Sequence, residues 1–136
     1  MKVVIDTNIL LSALITDSKT REIIVASDYQ FYAPETIIDE TLKHEDMLLQ
    51  KSGLKKADLD ELLSTLLKYV HIIPNEILQQ NTPAAKKEMK EIDKDDVVFL
   101  AAAITIDGII WSDDRHFKDQ QLIQTYTTSE FIKIPD

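Results

Sequence analysis

The chain has 136 residues, 44% of them hydrophobic and 29% charged, enough for one domain around a single core over residues 1–136. It has no cysteine, which excludes disulfides and thiolate metal sites and fits a cytoplasmic setting. The net charge of −9 excludes holding nucleic acid by bulk electrostatics. No apolar run approaches membrane-spanning length, and the early strand-like Val3-Val4-Ile5 leaves no room for a signal peptide.

Lys2 to Ile5 predicts a buried strand, because β-branched apolar residues run without alternation. Asn8 to Ile15 follows as a short helix, and Arg21 to Ser27 as a second after the polar turn Asp17-Ser18-Lys19-Thr20. Tyr29 to Ala33 reads as a strand. Pro34 suits a first helical turn, which places one helix from there to about Gln50, broken by Gly53. Ala57 to Tyr69 is amphipathic, with Leu59, Leu62, Leu63, Leu66 and Leu67 on one stripe. Val70 to Ile73 is a strand closed by Pro74. Pro83 splits Asn75 to Lys90 into a short helix and a second one. Asp96 to Ile106 is apolar nearly all round, with Ala101-Ala102-Ala103 allowing close packing, and Gly108 is a natural stop. Ile109 to Trp111 is a strand, and Thr125 to Thr127 a weak last one. Strands alternating with helices predict a three-layer α/β/α sandwich with a central parallel sheet of four to five strands.

Four acids stand where strands end or a buried helix begins: Asp6, Glu40, Asp96 and Asp114. Parallel strands share one carboxyl edge, where α/β proteins place their sites. Carboxylates about 5 Å apart repel by roughly 3 kcal/mol per pair at an effective dielectric near 20. Such a nest persists with protons or a cation, and Mg²⁺ or Mn²⁺ accepts oxygen ligands of this kind. That chemistry is suited to water attack on a phosphodiester. Singly, each acid is better read as a helix-terminal or turn residue; the joint pattern shifts the balance. Asp39 and Glu45 compete with Glu40, and Asp93, Asp95 and Asp113 with Asp96 and Asp114. Lys86, Lys87, Lys90 and Lys94 form a cluster whose plainer reading is a solvated helix face and whose alternative is a phosphate track. His44, His71 and His116 read as surface or structural residues. Trp111 and Phe117 read as core, and Arg115 equally as a phosphate contact or a surface ion pair.

Val4-Ile5-Asp6-Thr7-Asn8-Ile9-Leu10 resembles the opening motif of PIN-domain ribonucleases, a hydrophobic strand followed by D-T-N. Asp96-Val97-Val98-Phe99-Leu100-Ala101-Ala102-Ala103 resembles the third acidic motif of that family. Ile110-Trp111-Ser112-Asp113-Asp114-Arg115-His116-Phe117 resembles its last. The resemblance implies that Asp6, Glu40, Asp96 and Asp114 are the catalytic metal-site acids. It implies that Ser112 orients Asp114 or a water, and that Asn8 braces the site. Lys87, Lys90, Lys94 and Arg115 are the candidate substrate contacts. It further implies Mg²⁺ or Mn²⁺ as cofactor and RNA as substrate. The setting it implies is the toxin branch of toxin–antitoxin pairs, with an antitoxin partner and a homodimer. Haloacid-dehalogenase-like phosphatases need an aspartate where Asn8 stands, and response-regulator receivers need an early acidic pair. The remaining alternative is a catalytically weak PIN-like binding or scaffold module.

Overall fold

The computed structural model describes residues 1–15, 19–89 and 94–134, without the side chains of Lys94 and Asp95. Strand β1 (Lys2–Ile5) leads into helices α1 (Thr7–Ile15) and α2 (Lys19–Ala26). Strand β2 (Gln30–Pro34) is followed by α3 (Thr36–Leu42), α4 (Glu45–Ser52) and α5 (Lys56–Leu67). Strand β3 (Val70–Ile73) leads to the short α6 (Asn75–Leu78), then α7 (Thr82–Glu88) and α8 (Lys94–Ile106). Strand β4 (Ile109–Trp111), a 3₁₀ turn at Arg115–Asp119, β5 (Thr125–Tyr126) and α9 (Thr128–Phe131) complete the described chain. No helix among the described residues is long and apolar enough to cross a membrane.

The five strands pair in parallel in the order β3-β2-β1-β4-β5. Val3, Val4 and Ile5 are all fully buried, as expected of a central strand covered on both faces. Helix α8 packs on β1, β2 and β4, with α6 and α7 against it, while α1 gathers α2, α3, α4 and α5. Right-handed crossovers require this division, because the chain moves from β1 towards β2 and β3 but returns past β1 to reach β4. The result is the three-layer α/β/α sandwich. The direction of travel reverses between β1 and β4, which makes the carboxyl edge there the topological switch point, the place where α/β proteins bind their ligands.

Local differences from the sequence reading have physical causes. Pro34 ends β2, paired in register with Ile73, instead of opening a helix. Its missing N–H is harmless because the β1 pairing of that strand stops at Tyr32. The helix expected from Pro34 to about Gln50 is two helices. His44 departs from helical geometry at φ −100° and ψ 16°, and its N–H bonds the Thr41 carbonyl 3.0 Å away. No glycine or proline marks that bend. Glu45 and Asp46 supply first-turn acids for the restart. The 3₁₀ turn and α9 were not expected, although Thr127 and Glu130 form a reciprocal capping box readable as T-x-x-E.

Gly108 is not the left-handed stop of α8. That conformation falls on Asp107, at φ 52°, and Gly108 is needed for a close approach instead. A β-carbon there would lie 2.6 Å from the Lys2 carbonyl oxygen of β1. Gly53, by contrast, is a true left-handed C-cap at φ 71° with open space around it. Gly108→Ala is therefore expected to cost about 2 kcal/mol or more, since backbone must shift. Gly53→Ala should cost about 1 kcal/mol, from conformation alone. Urea melts of the two variants check the ranking, and equal losses would show that the Lys2 approach relaxes freely.

Candidate metal centre

Asp6 is the residue immediately beyond β1, and it is buried, with 5% of its surface exposed. One carboxylate oxygen accepts the Ile9 N–H at 3.0 Å, starting α1 as a side-chain cap. The other accepts the hydroxyl of Ser112, which stands directly beyond β4. The Ile5–Trp111 register brings these two positions side by side at the switch point. Ser112 is fully buried, and its Oγ also accepts the Asp114 N–H at 3.0 Å. One hydroxyl thus ties the acid of the first motif to the backbone of the acid in the last.

Asp114 caps the 3₁₀ turn, its Oδ1 accepting the His116 N–H at 3.0 Å. Phe117, fully buried, anchors that turn in the core. The His116 Nδ1 lies 3.3 Å from Asp114 Oδ1 and 4.0 Å from Asp96 Oδ2, on the first turn of α8. Asp96, Asp114 and His116 each present a ligand atom within 4.8 Å of the others. The N-terminus of α8 adds a favourable field for negative charge on Asp96.

Not every candidate joins this group. Glu40 lies on α3, and its carboxylate pairs with Lys43 at 2.9 Å. Asn8 is exposed in the first turn of α1, and no contact among the described residues carries a bracing role for it. Arg115 is exposed on the 3₁₀ turn beside the cluster. Lys86 and Lys87 are exposed at the end of α7. Lys90, Asp93 and the side chains of Lys94 and Asp95 lie outside the described residues. Two competitors have other work. Glu45 bonds Lys56 at 2.8 Å, and Asp113 caps α9 through the Thr128 N–H at 2.7 Å and hydroxyl at 2.8 Å. The sequence reads His116 as a surface residue close to the site. It is indeed 62% exposed, and the only signal was its place two residues after Asp114 in a turn that folds back on itself.

The PIN domain family matches residues 4–131, nearly the whole chain. The chain belongs to the PIN-domain family. No curated protein matches the sequence. Among solved structures, this PIN domain is similar to a chain of VapBC2 from Rickettsia felis, crystallised bound to a DNA fragment from their promoter. The TM-score is 0.72 at 17% identity, covering 93% of this chain and 98% of that one. It is also similar to a chain of a toxin–antitoxin complex from Klebsiella pneumoniae, with TM-score 0.61 and 16% identity, covering 98% and 92%. At these identities the likeness is one of fold.

Burial pushes the Asp6 carboxyl of the PIN domain up from 3.8 to about 6. The Ser112 and Ile9 hydrogen bonds pull it back down, while the neighbouring Asp114 and Asp113 charges add to the rise. The sign follows directly. Below pH 3.8 the carboxyl is protonated folded or unfolded and carries no penalty. Between pH 3.8 and about 6 the folded state keeps a proton that the unfolded state has lost, so stability falls as pH rises. A shift of about two units corresponds to a penalty near 3 kcal/mol, fully present above pH 6.

Asp6→Asn removes that titration. Its amide oxygen can still accept the Ile9 N–H, and its amide nitrogen can donate to Ser112. In EDTA the variant is expected to gain roughly 2–3 kcal/mol relative to the parent between pH 4 and pH 7. Urea melts across that range measure it. A stability difference that does not change with pH would show that Asp6 is not the group strained by burial.

Proposed function

We propose that the chain is a divalent-metal-dependent ribonuclease that hydrolyses RNA phosphodiester bonds, acting as the toxin of a toxin–antitoxin pair. The observation that carries the reading is the Ser112 bridge. It couples buried Asp6 to Asp114, and Asp114 converges with Asp96 and His116 at the switch-point edge. Membership of the PIN-domain family supports the nuclease role. The toxin role draws on the likeness to chains of VapBC2 and of the Klebsiella pneumoniae toxin–antitoxin complex.

The donor set fits a hard or borderline divalent cation. Two carboxylates supply negative charge and oxygen, and an imidazole a neutral nitrogen, all within 4.8 Å of one another. Asp96 and Asp114 would hold Mg²⁺ or Mn²⁺, with Asp6 contributing charge from behind Ser112. Glu40 would complete the acids. Its Lys43 pair is worth at most about 1 kcal/mol, since the lysine is largely in solvent, and does not hold it away. When bound, the cation makes a water more acidic and offsets charge growing on the phosphoryl oxygens.

The chain's own residues do the rest. Ser112 fixes the Asp114 backbone and so aims its carboxylate. The α8 N-terminus holds Asp96 at the edge, and buried Phe117 keeps the 3₁₀ turn from swinging away. Arg115 stands beside the cluster to hold a flanking phosphate, with Lys86 and Lys87 as a second point of contact. Such local contacts answer how a chain of net charge −9 engages RNA.

Cleavage of a single-stranded RNA is expected with Mg²⁺ or Mn²⁺ and not in EDTA. Asp114→Asn should lower the rate by about 100-fold or more, given loss of a group acting at the reacting phosphate, and Asp6→Asn should lower it too, through the charge lost behind Ser112. Cleavage that persists in EDTA, or survives both substitutions, would sink the reading. Lys87→Gln combined with Arg115→Gln should weaken RNA binding and reduce the salt slope by roughly 1.4, as each phosphate contact contributes about −0.7 for single strands. Binding titrations at several salt concentrations measure this, and an unchanged slope returns both residues to the solvated surface.

A further inference from the structure

We infer that His116 is a nitrogen ligand of the cation at this site and that it tilts the site's preference from Mg²⁺ towards transition-metal ions. The inference rests on the metal-centre reading above and adds to it the identity of one ligand and its consequence for ion choice.

The geometry carries it. Ligand atoms around an octahedral ion at about 2.1 Å lie about 3.0 Å apart when adjacent and about 4.2 Å when opposite. The His116 Nδ1 lies 3.3 Å from Asp114 Oδ1 and 4.0 Å from Asp96 Oδ2, inside that range on both sides. The same approach suits an imidazole N–H facing two carboxylates, and the metal titration below separates that ion pair from a ligand. The turn is already held by the His116 N–H to Asp114 and by buried Phe117, so its backbone does not depend on the imidazole. The ring folds back over the two carboxylates while its outer side stays in water, with the side chain 62% exposed. That exposure lets Nε2 carry the ring proton to solvent while Nδ1 offers its lone pair inward.

Chemistry then sets the consequence. Mg²⁺ prefers oxygen and gives up water reluctantly, whereas imidazole gains affinity along the series from Mn²⁺ to Co²⁺ and Ni²⁺. Asp96 and Asp114 alone would make a site of carboxylates and water, with little discrimination. Adding one imidazole steepens the rise from Mg²⁺ through Mn²⁺ to Co²⁺. His44 and His71, the other two histidines of the chain, serve as internal controls because neither joins the cluster.

The test is calorimetric titration of the 136-residue chain with Mg²⁺, Mn²⁺ and Co²⁺, beside nitrogen hyperfine coupling to bound Mn²⁺ by pulsed electron paramagnetic resonance. His116→Ala should weaken Co²⁺ binding by about tenfold or more and leave Mg²⁺ nearly unchanged, as ligand-sphere changes of this kind do. The nitrogen coupling should disappear in His116→Ala and persist in His71→Ala. His116→Asp should bind Mg²⁺ at least as tightly as the parent while losing the Co²⁺ preference. A Co²⁺ to Mg²⁺ affinity ratio unchanged in His116→Ala overturns the inference. If Asp114→Asn still abolishes binding in that event, the carboxylate centre stands without the histidine. If Asp114→Asn leaves binding of all three ions intact, the metal-centre reading fails and the inference with it.

Discussion

The carboxylate of Asp6 is held at the end of the central strand by two hydrogen bonds that serve different parts of the molecule. Ile9 takes one oxygen to begin α1. Ser112 takes the other and thereby joins β1 to the loop beyond β4. Removing that acid from water is costly, and the cost is accepted only where β1 and β4 run parallel and adjacent, with the direction of the chain reversing between them. The sheet order therefore comes first. It sets two strand ends side by side, the hydroxyl spans them, and Asp114 inherits its position from that hydroxyl.

Much of this was legible. The uninterrupted apolar run Val3-Val4-Ile5 marks a strand covered on both faces, and the alanines of α8 mark a helix pressed onto the sheet. Those two patterns, with three acidic motifs in order, were enough for the parallel three-layer fold and for the edge where Asp6, Asp96 and Asp114 lie. Trp111 and Phe117 were read as core, and both are fully buried. The family match over residues 4–131 agrees with the motifs.

What the sequence hid was local and depended on contacts distant in the chain. The bend at His44 has no breaker residue, because it reflects where α3 and α4 each find something to bury: Ile37 and Thr41 in one, Leu48 in the other. The role of Gly108 is set by the Lys2 carbonyl more than a hundred residues earlier. The surroundings of the four acids also differ in ways that spacing does not reveal. Asp6 is buried and caps α1 while accepting the Ser112 hydroxyl, Glu40 pairs with a lysine, and a histidine lies at the rim. Spacing alone does not tell a turn that folds back on itself from one that runs on, and the approach of His116 is a product of the tertiary fold.

Adjacent residues Asp113 and Asp114 face opposite tasks. Asp114 turns to the cluster, while Asp113 grips the first residue of α9, whose hydroxyl also receives the indole N–H of Trp111 at 2.9 Å. Phe131 stacks on that same indole at 4.6 Å. The tail and the acidic edge are thus two ends of one lever whose pivot is a single peptide unit. Trimming the chain before Thr128 would free Asp113 and uncover Trp111, and the disturbance would reach Asp114 without any residue of the cluster having been changed. Deletion series, tags fused near this end, or a partner seated on α9 would all act on the acids from behind.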